Sequence, residues 1–457
     1  MTIIHYSPIS EGMFFETSET QMDEIASILN GAREAFKDWS STSRIYRAKV
    51  LRSIANSIQA RRSEIAEIVR QETGKPLRIA LGEVDATIEM AFLISSECYR
   101  ESNFNLPSAI PNREIKVERV PFGVAALIVS FNTPFPNYAW KVFPALMAGN
   151  TVILKPSIYT CRSAKFFEEI LHSSGVPKDV FNLVFGGKEI GSYLVNQEVD
   201  LISFTGSSKV GIEIQKYAAP RLIKTILELG GSNPILLTTN TDLNSAIPVI
   251  YESAFSNAGQ RCAAGSRLII HKSMVETFKN SFGAFAESKT VGTDQEADVG
   301  TLVSVDAKVA FENYLEKCRQ SGAQINRFGK LLGDSNCVSL PAVILGLDSK
   351  HELGRCEIFA PALRFFVYEY IEEAIELANE SDYALTAAVW DDDLENGIRI
   401  AKMIQSGVVN INGPTHGAEP SMPFGGKKMS GNGTREAGIQ SVYEYSDTRV
   451  TSVFRKV

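Results

Sequence analysis

The chain has no long apolar run, little cysteine and no basic excess. No stretch of about 18 uninterrupted apolar residues occurs, so no membrane-spanning helix is expected. Its six cysteines (Cys98, Cys161, Cys262, Cys318, Cys337 and Cys356) are scattered. None forms a Cys-x-x-Cys pair or a Cys/His cluster with zinc spacing, so no metal site is expected. Reduced thiols in a cytoplasmic protein are the expectation for all of them but one. The net charge of −7 argues against a broad basic face for nucleic acid. The first residues lack a basic start followed by an apolar core, so no secretory signal is expected. No internal repeat or low-complexity linker is present.

What is present is the material of a large globular protein. At 457 residues the chain is too long for one ordinary core, so two or more domains are expected. Residues 21–100 predict long helices: Ile54, Ile58, Ile65 and Ile68 recur at helical spacing, and Gly74-Lys75-Pro76 is a stop signal. Residues 103–120 predict an exposed extended hairpin, and residues 443–457 an edge strand. Between them, apolar strands alternate with helices. Strands are expected at 124–130, 151–155, 181–185 and 201–204, with helices at 138–147 and 161–174. A second α/β run covers 235–405. This alternation predicts parallel sheet covered on both faces.

Two segments stand out chemically. Cys262 sits in Phe255-Ser-Asn-Ala-Gly-Gln-Arg-Cys262-Ala-Ala-Gly, and Glu228, 34 residues upstream, sits in Leu227-Glu-Leu-Gly-Gly231. A thiolate can attack a carbonyl, and a carboxylate can activate the water that clears the resulting thioester. Asn132, in Val129-Ser-Phe-Asn-Thr-Pro-Phe135, ends a strand before a helix, where its amide can donate to a developing oxyanion together with the Cys262 backbone N–H. Phe204-Thr-Gly-Ser-Ser-Lys-Val-Gly211 follows a strand and opens a helix, a place where free N–H groups and the helix dipole suit phosphate.

These segments resemble the aldehyde dehydrogenase superfamily, from about residue 25 to the C-terminus. Further blocks in family order are Leu146-Met-Ala-Gly-Asn-Thr-Val-Ile-Leu-Lys-Pro-Ser157, Cys356-Glu-Ile-Phe-Ala-Pro361, Val409-Asn-Ile-Asn412 and Pro423-Phe-Gly-Gly-Lys-Lys-Met-Ser-Gly431. Ala360 replaces the family's usual glycine. The resemblance implies an α/β fold: a Rossmann-like cofactor-binding domain (residues 1–102 and 121–230), an α/β catalytic domain (231–425) and a small β oligomerisation element (103–120 and 440–457). It implies NAD(P)-dependent oxidation of an aldehyde to a carboxylic acid, with water as final acceptor. Cys262 would be the nucleophile, Glu228 the general base and Asn132 the oxyanion donor. NAD or NADP would be held by Lys155, Ser157, Gly206, Ser207, Gly211, Leu229, Glu357 and Phe359. The partners implied are a small aldehyde and a second copy of the chain, as homodimer or tetramer.

Two features refine the reading. Members strict for NAD usually carry Glu after Lys-Pro-Ser, whereas this chain has Ile158, which removes a like-charge clash with a 2′-phosphate and makes NADP acceptable. CoA-acylating members generally lack the glutamate matched by Glu228. Thr133, Asn137, Trp140, Arg261 and Ala263 fall near the nucleophile by family placement, and Thr133 and Asn137 predict a polar pocket for a hydroxylated or semialdehyde substrate.

Overall fold

The computed structural model describes residues 1–100 and 103–455. Four helices, Met22–Ser41, Arg44–Ala60, Arg62–Thr73 and Leu77–Ser96, occupy the segment expected to be helical. Ile54, Ile58 and Ile65 are fully buried in one core with Phe135, Tyr138 and Phe167. Gly74 ends the third helix in the left-handed conformation (φ 73°), its N–H donating to Arg70 O at 2.8 Å. An N-terminal hairpin, Thr2–Tyr6 with Met13–Ser18, precedes the helices and has no counterpart in the sequence pattern.

Five parallel strands follow, in the spatial order Phe181–Leu183, Thr151–Lys155, Val124–Ile128, Leu201–Thr205, Lys224–Glu228. The first strand in sequence is central, so the chain winds outward in both directions from it. Every residue of Val124–Ile128 and of Thr151–Lys155 is buried, which is why both read as unbroken apolar runs. The intervening helix runs Pro134–Ala148, one turn longer at its start than the pattern predicts. Pro134 occupies the first turn, where the missing N–H costs nothing.

A second sheet has seven strands, ordered Gln324–Arg327, Ala342–Leu345, Ala362–Tyr368, Gly265–His271, Asn233–Leu237, Thr386–Trp390, Val408–Ile411. Only the first pair is antiparallel. Four residues separate Glu228, the end of the first sheet, from the strand Asn233–Leu237, so the two sheets meet through Leu229-Gly-Gly-Ser232. That junction faces the carboxyl ends of the first sheet toward the amino ends of the second.

The third sheet joins distant parts of the chain. Strand Ser446–Phe454 pairs antiparallel with Arg113–Pro121, which pairs in turn with Phe104–Leu106. The terminal strand begins at Ser446 rather than at Tyr443, because Ser441–Glu444 forms a short helix instead. Its expected end at Val457 lies outside the described residues, as does the boundary at residue 102. Val450, Val453, Phe454, Phe104 and Leu106 remain exposed on this sheet.

Candidate active site

The ends of several strands converge on one cavity of about 650 Å³. From the first sheet come Asn132, four residues past Ile128; Gly206 and Ser207, past Thr205; and Glu228, the last residue of its strand. From the second come Leu229 at the junction, Cys262 before Gly265–His271, and Glu357 and Phe359 before Ala362–Tyr368. Ligand crevices outside the carboxyl ends of parallel strands are the rule in such sheets.

The loop bearing Cys262 is held from several sides. Asn233 Nδ2 donates to Cys262 O at 2.7 Å and to Ala264 O at 2.8 Å, and Thr415 Oγ1 donates to Ala263 O at 2.7 Å. Gly231 permits this approach: a Cβ there would lie 2.3 Å from Cys262 O, a backbone atom that cannot swing away. Just upstream, Asn257 and Ala258 adopt left-handed backbone (φ 54° and 53°). That conformation costs on the order of 1–3 kcal/mol per residue. Hydrogen bonds hold it, since Asn257 Nδ2 donates to Gln260 O and to Asn132 O, at 3.2 and 3.1 Å. The Cys262 loop is thereby tied to the Asn132 loop.

Asn132 is itself oriented on both sides. Its carbonyl accepts from the buried Lys75 Nζ at 2.8 Å, and Lys75 is ion-paired with Glu83. Its side-chain Oδ1 accepts from Asn137 Nδ2 at 3.2 Å. With the oxygen so engaged, the Nδ2 donor is the end left for the cavity. Asn137 Nδ2 also donates to Ser130 O at 3.2 Å. The Asn137 amide donor is therefore committed within the protein, while Asn137 and Thr133 both line the cavity.

Burial sets the protonation of the two reactive groups. The Cys262 thiol is pushed up to about 12, first by burial, then by the charges of Glu357 and Glu228; the Cys262 and Ala263 N–H groups pull the other way. Glu228 holds its proton far above the ordinary carboxylate range because it is buried and because Glu436 is nearby, with Lys141 and Arg435 opposing. Neither carboxyl oxygen of Glu228 has a hydrogen-bonding partner among the described residues. Lys141 is ion-paired with Glu436 in the same wall. Gly425 (φ 156°) packs against Glu228, where a Cβ would sit 2.6 Å from Oε1, which places the Pro423–Gly431 block in the structure.

The residues at the other end of the cavity suit a dinucleotide. Ser207 caps helix Ser208–Ala218 without a side-chain capping bond, so its hydroxyl is available to phosphate at the helix N-terminus. Thr205 Oγ1 is buried beside it without a partner. Glu357 Oε1 accepts from Gly231 N at 3.1 Å, and burial raises its carboxyl to about 7. Phe359, itself left-handed (φ 53°), stands edge-on to Phe131 at 5.8 Å. Lys155, Ser157 and Gly211 lie outside the cavity lining. Lys155 ends its strand at the same sheet edge, its amine donating to Pro156 O and lowered to about 8 by burial. Ser157 Oγ accepts from Tyr159 N at 3.3 Å. Gly211 makes room for Leu229, whose side chain would meet a Cβ at 2.5 Å.

Sequence reasoning missed Lys75, Glu83, Asn257 and the Lys141–Glu436 pair. Lys75 was visible only as part of a helix stop. The available signal was a lysine placed between glycine and proline, next to an apolar helix that buries Glu83. Among the described residues no cluster of His, Cys, Asp and Glu could hold a metal ion, and no helix is long and apolar enough to cross a membrane.

Comparison with known proteins agrees with this geometry. The model of the aldehyde dehydrogenase family matches residues 1–451. The chain is 34% identical to a 2-aminomuconic semialdehyde dehydrogenase of Bos taurus, over 96% of this chain and 92% of that protein. It is 31% identical to an NADP-dependent D-glyceraldehyde dehydrogenase of Thermoplasma acidophilum, over 98% and 91%. A crystal structure of betaine aldehyde dehydrogenase from Staphylococcus aureus, in complex with NAD+, superposes with a TM-score of 0.95 at 29% identity, covering 99% of this chain and 91% of that one.

Proposed function

The chain belongs to the aldehyde dehydrogenase family and is an NAD(P)-dependent oxidoreductase, and we propose that it converts its aldehyde to the acid through Cys262, Glu228 and Asn132. The observation that carries this reading is that three separate chain segments bring these side chains to one cavity. Cys262 Sγ, once deprotonated, attacks the aldehyde carbon, and a thiohemiacetal forms. Asn132 Nδ2 and the Cys262 N–H stabilise its oxyanion; one such donor is worth about 3 kcal/mol in the transition state. A bound NAD or NADP would supply the hydride acceptor, and loss of hydride from the thiohemiacetal carbon would leave a thioester on Cys262. Glu228, as carboxylate, takes a proton from water, the hydroxide adds to the thioester, and Cys262 departs as the acid is released.

Ser207, Gly206 and the start of helix Ser208–Ala218 would hold the pyrophosphate. Glu357 would hold the ribose next to the nicotinamide and Phe359 would pack beside the ring, with Leu229 in the floor. Lys155 and Ser157 would face the adenosine half. The cofactor-binding part is assigned to residues 1–102 and 121–230 and the catalytic part to 231–425. Ile158 is exposed and leaves a 2′-phosphate unopposed at that position. The test is to measure kcat/KM with NAD and with NADP in wild type and in Ile158→Glu, while identifying the acid formed. Wild type should use both cofactors. The variant should shift toward NAD by ~1–3 kcal/mol, through charged hydrogen bonds gained and repulsion of the phosphate. An unchanged ratio would remove residue 158 from the adenosine site.

The sheet of 103–120 with 440–457 is assigned to subunit assembly. Its exposed Val450, Val453, Phe104 and Leu106 sit on or beside unpaired strand edges, which proteins commonly cover. A homodimer or a tetramer is the expected state in light scattering at micromolar concentration; a monomer there would refute the assignment. A cytoplasmic location fits six cysteines of which none is in a disulfide. Recovery in a secreted or membrane fraction would contradict it.

A further inference from the structure

The wall of the cavity next to Cys262 holds a guanidinium with no partner. Arg261 lines the cavity, and its Nε is buried without a hydrogen-bond partner. Among the described residues its guanidinium makes no ion pair. A guanidinium keeps its charge even where burial opposes it, and a charge held away from bulk water without a counter-ion is destabilising unless a ligand supplies one.

The neighbouring acids do not fill that role. Glu83 is paired with Lys75, and Glu252 with Arg78 at 3.6 Å. Arg78 is further engaged by Asp298 O at 3.0 Å. Three cations, Lys75, Arg78 and Arg261, thus share the two carboxylates Glu83 and Glu252, and Arg261 makes a direct ion pair with neither. Other polar atoms of the cavity-lining residues are buried and without partners too, among them Glu83 Oε2, His416 Nε2 and Trp140 Nε1. Trp140 Nε1 can only donate. His416 is held neutral, lowered to about 3 by burial first and then by the charge of Arg261. Around Arg261 the cavity wall therefore carries an excess of positive charge, while the unpartnered Glu228 carboxyl in the same cavity holds its proton.

We propose that Arg261 anchors a substrate-anion subsite, so that the aldehyde oxidised here is a short one with a carboxylate at its far end. The proposal rests on the aldehyde-oxidising function described above and specifies its substrate class. A guanidinium fork binds the two oxygens of a carboxylate side by side. Arg261 and Cys262 line the same cavity, so anion and reacting carbonyl can belong to one small molecule. A quaternary ammonium would meet like charge at this position. The chain thus differs in substrate charge from its betaine aldehyde dehydrogenase relative.

The test compares 4-oxobutanoate, uncharged butanal and cationic betaine aldehyde, each with NAD and NADP, in wild type, Arg261→Gln and Arg261→Lys. A sulfonate-bearing aldehyde in a further arm separates a need for carboxylate from a need for any compact anion. Wild type should favour 4-oxobutanoate over butanal in kcat/KM. Arg261→Gln should reduce that preference by ~100-fold, within the range for removing one partner of a buried hydrogen-bonded charge pair, and Arg261→Lys should restore part of it. Succinate binding, followed by calorimetry, should be lost in Arg261→Gln independently of turnover. An unchanged preference in Arg261→Gln, or a wild type that favours butanal, betaine aldehyde or the sulfonate, overturns the proposal while leaving aldehyde oxidation intact. If no aldehyde yields NAD(P)H, the function fails instead. The succinate titration then decides the subsite: binding lost with Arg261 supports it, and binding that is absent or unaffected overturns it.

Discussion

Cys262→Ala should reduce aldehyde oxidation by ~10⁴-fold or more, the scale on which losing a nucleophile acts, while NAD(P) binding persists. Cys262→Ser should behave alike, since an alcohol is a far weaker acid than a thiol and is a weak nucleophile without an adjacent base. The reason is positional. Cys262 is the cysteine in the cavity wall, and its carbonyl and its neighbours' carbonyls are clamped by Asn233 and Thr415. Cys161, Cys318 and Cys337 are buried elsewhere, and Cys98 and Cys356 are partly buried outside the cavity lining. Replacing any of these five should leave activity largely intact. NAD(P)H formation measures turnover, and calorimetry measures cofactor binding. Near-normal turnover in Cys262→Ala would sink the covalent mechanism.

Glu228→Gln should separate the two halves of the reaction. The thiol can still attack and hydride can still leave, but water is no longer activated. Rapid mixing should show a burst of NAD(P)H followed by turnover slowed by ~10²–10⁴-fold, the usual contribution of a general base. Added CoA should not restore the rate. The pH dependence follows from the raised pKa of Glu228, caused by burial and by Glu436. The base works only as carboxylate, so hydrolysis in wild type should be lost as pH falls through that raised pKa and gained as pH rises. Glu228→Gln should lack this limb. Steady-state hydrolysis that continues unchanged in the variant, with the same pH profile, would remove Glu228 as the base.

Much of the site was legible because its chemistry sits at strand ends. Buried parallel strands are continuous apolar runs, and a polar residue that closes one is conspicuous. Asn132, Lys155 and Glu228 each end or follow such a run. Cys262 was legible for a different reason, a loop of small residues before a buried strand. The Gly-Gly step after Glu228 was also readable, and its purpose is steric: Gly231 lets the Cys262 carbonyl approach.

What tertiary structure alone decided is how these groups are held and what they face. Lys75 reaches Asn132 O across 57 residues, Asn257 reaches it across 125, and Lys141 meets Glu436 across 295. No local pattern encodes such pairs, because each depends on where two sheets place their loops. The same holds for Asn137, which lines the cavity as its sequence position suggests and also orients Asn132. Arg261 makes no ion pair of its own, while the nearby Glu83 and Glu252 pair with Lys75 and Arg78. Sequence thus determined the chemistry and the strand ends that bear it, since both are local. Packing of distant segments determined protonation, orientation and the pairing of charges, since burial and pairing are properties of the folded chain.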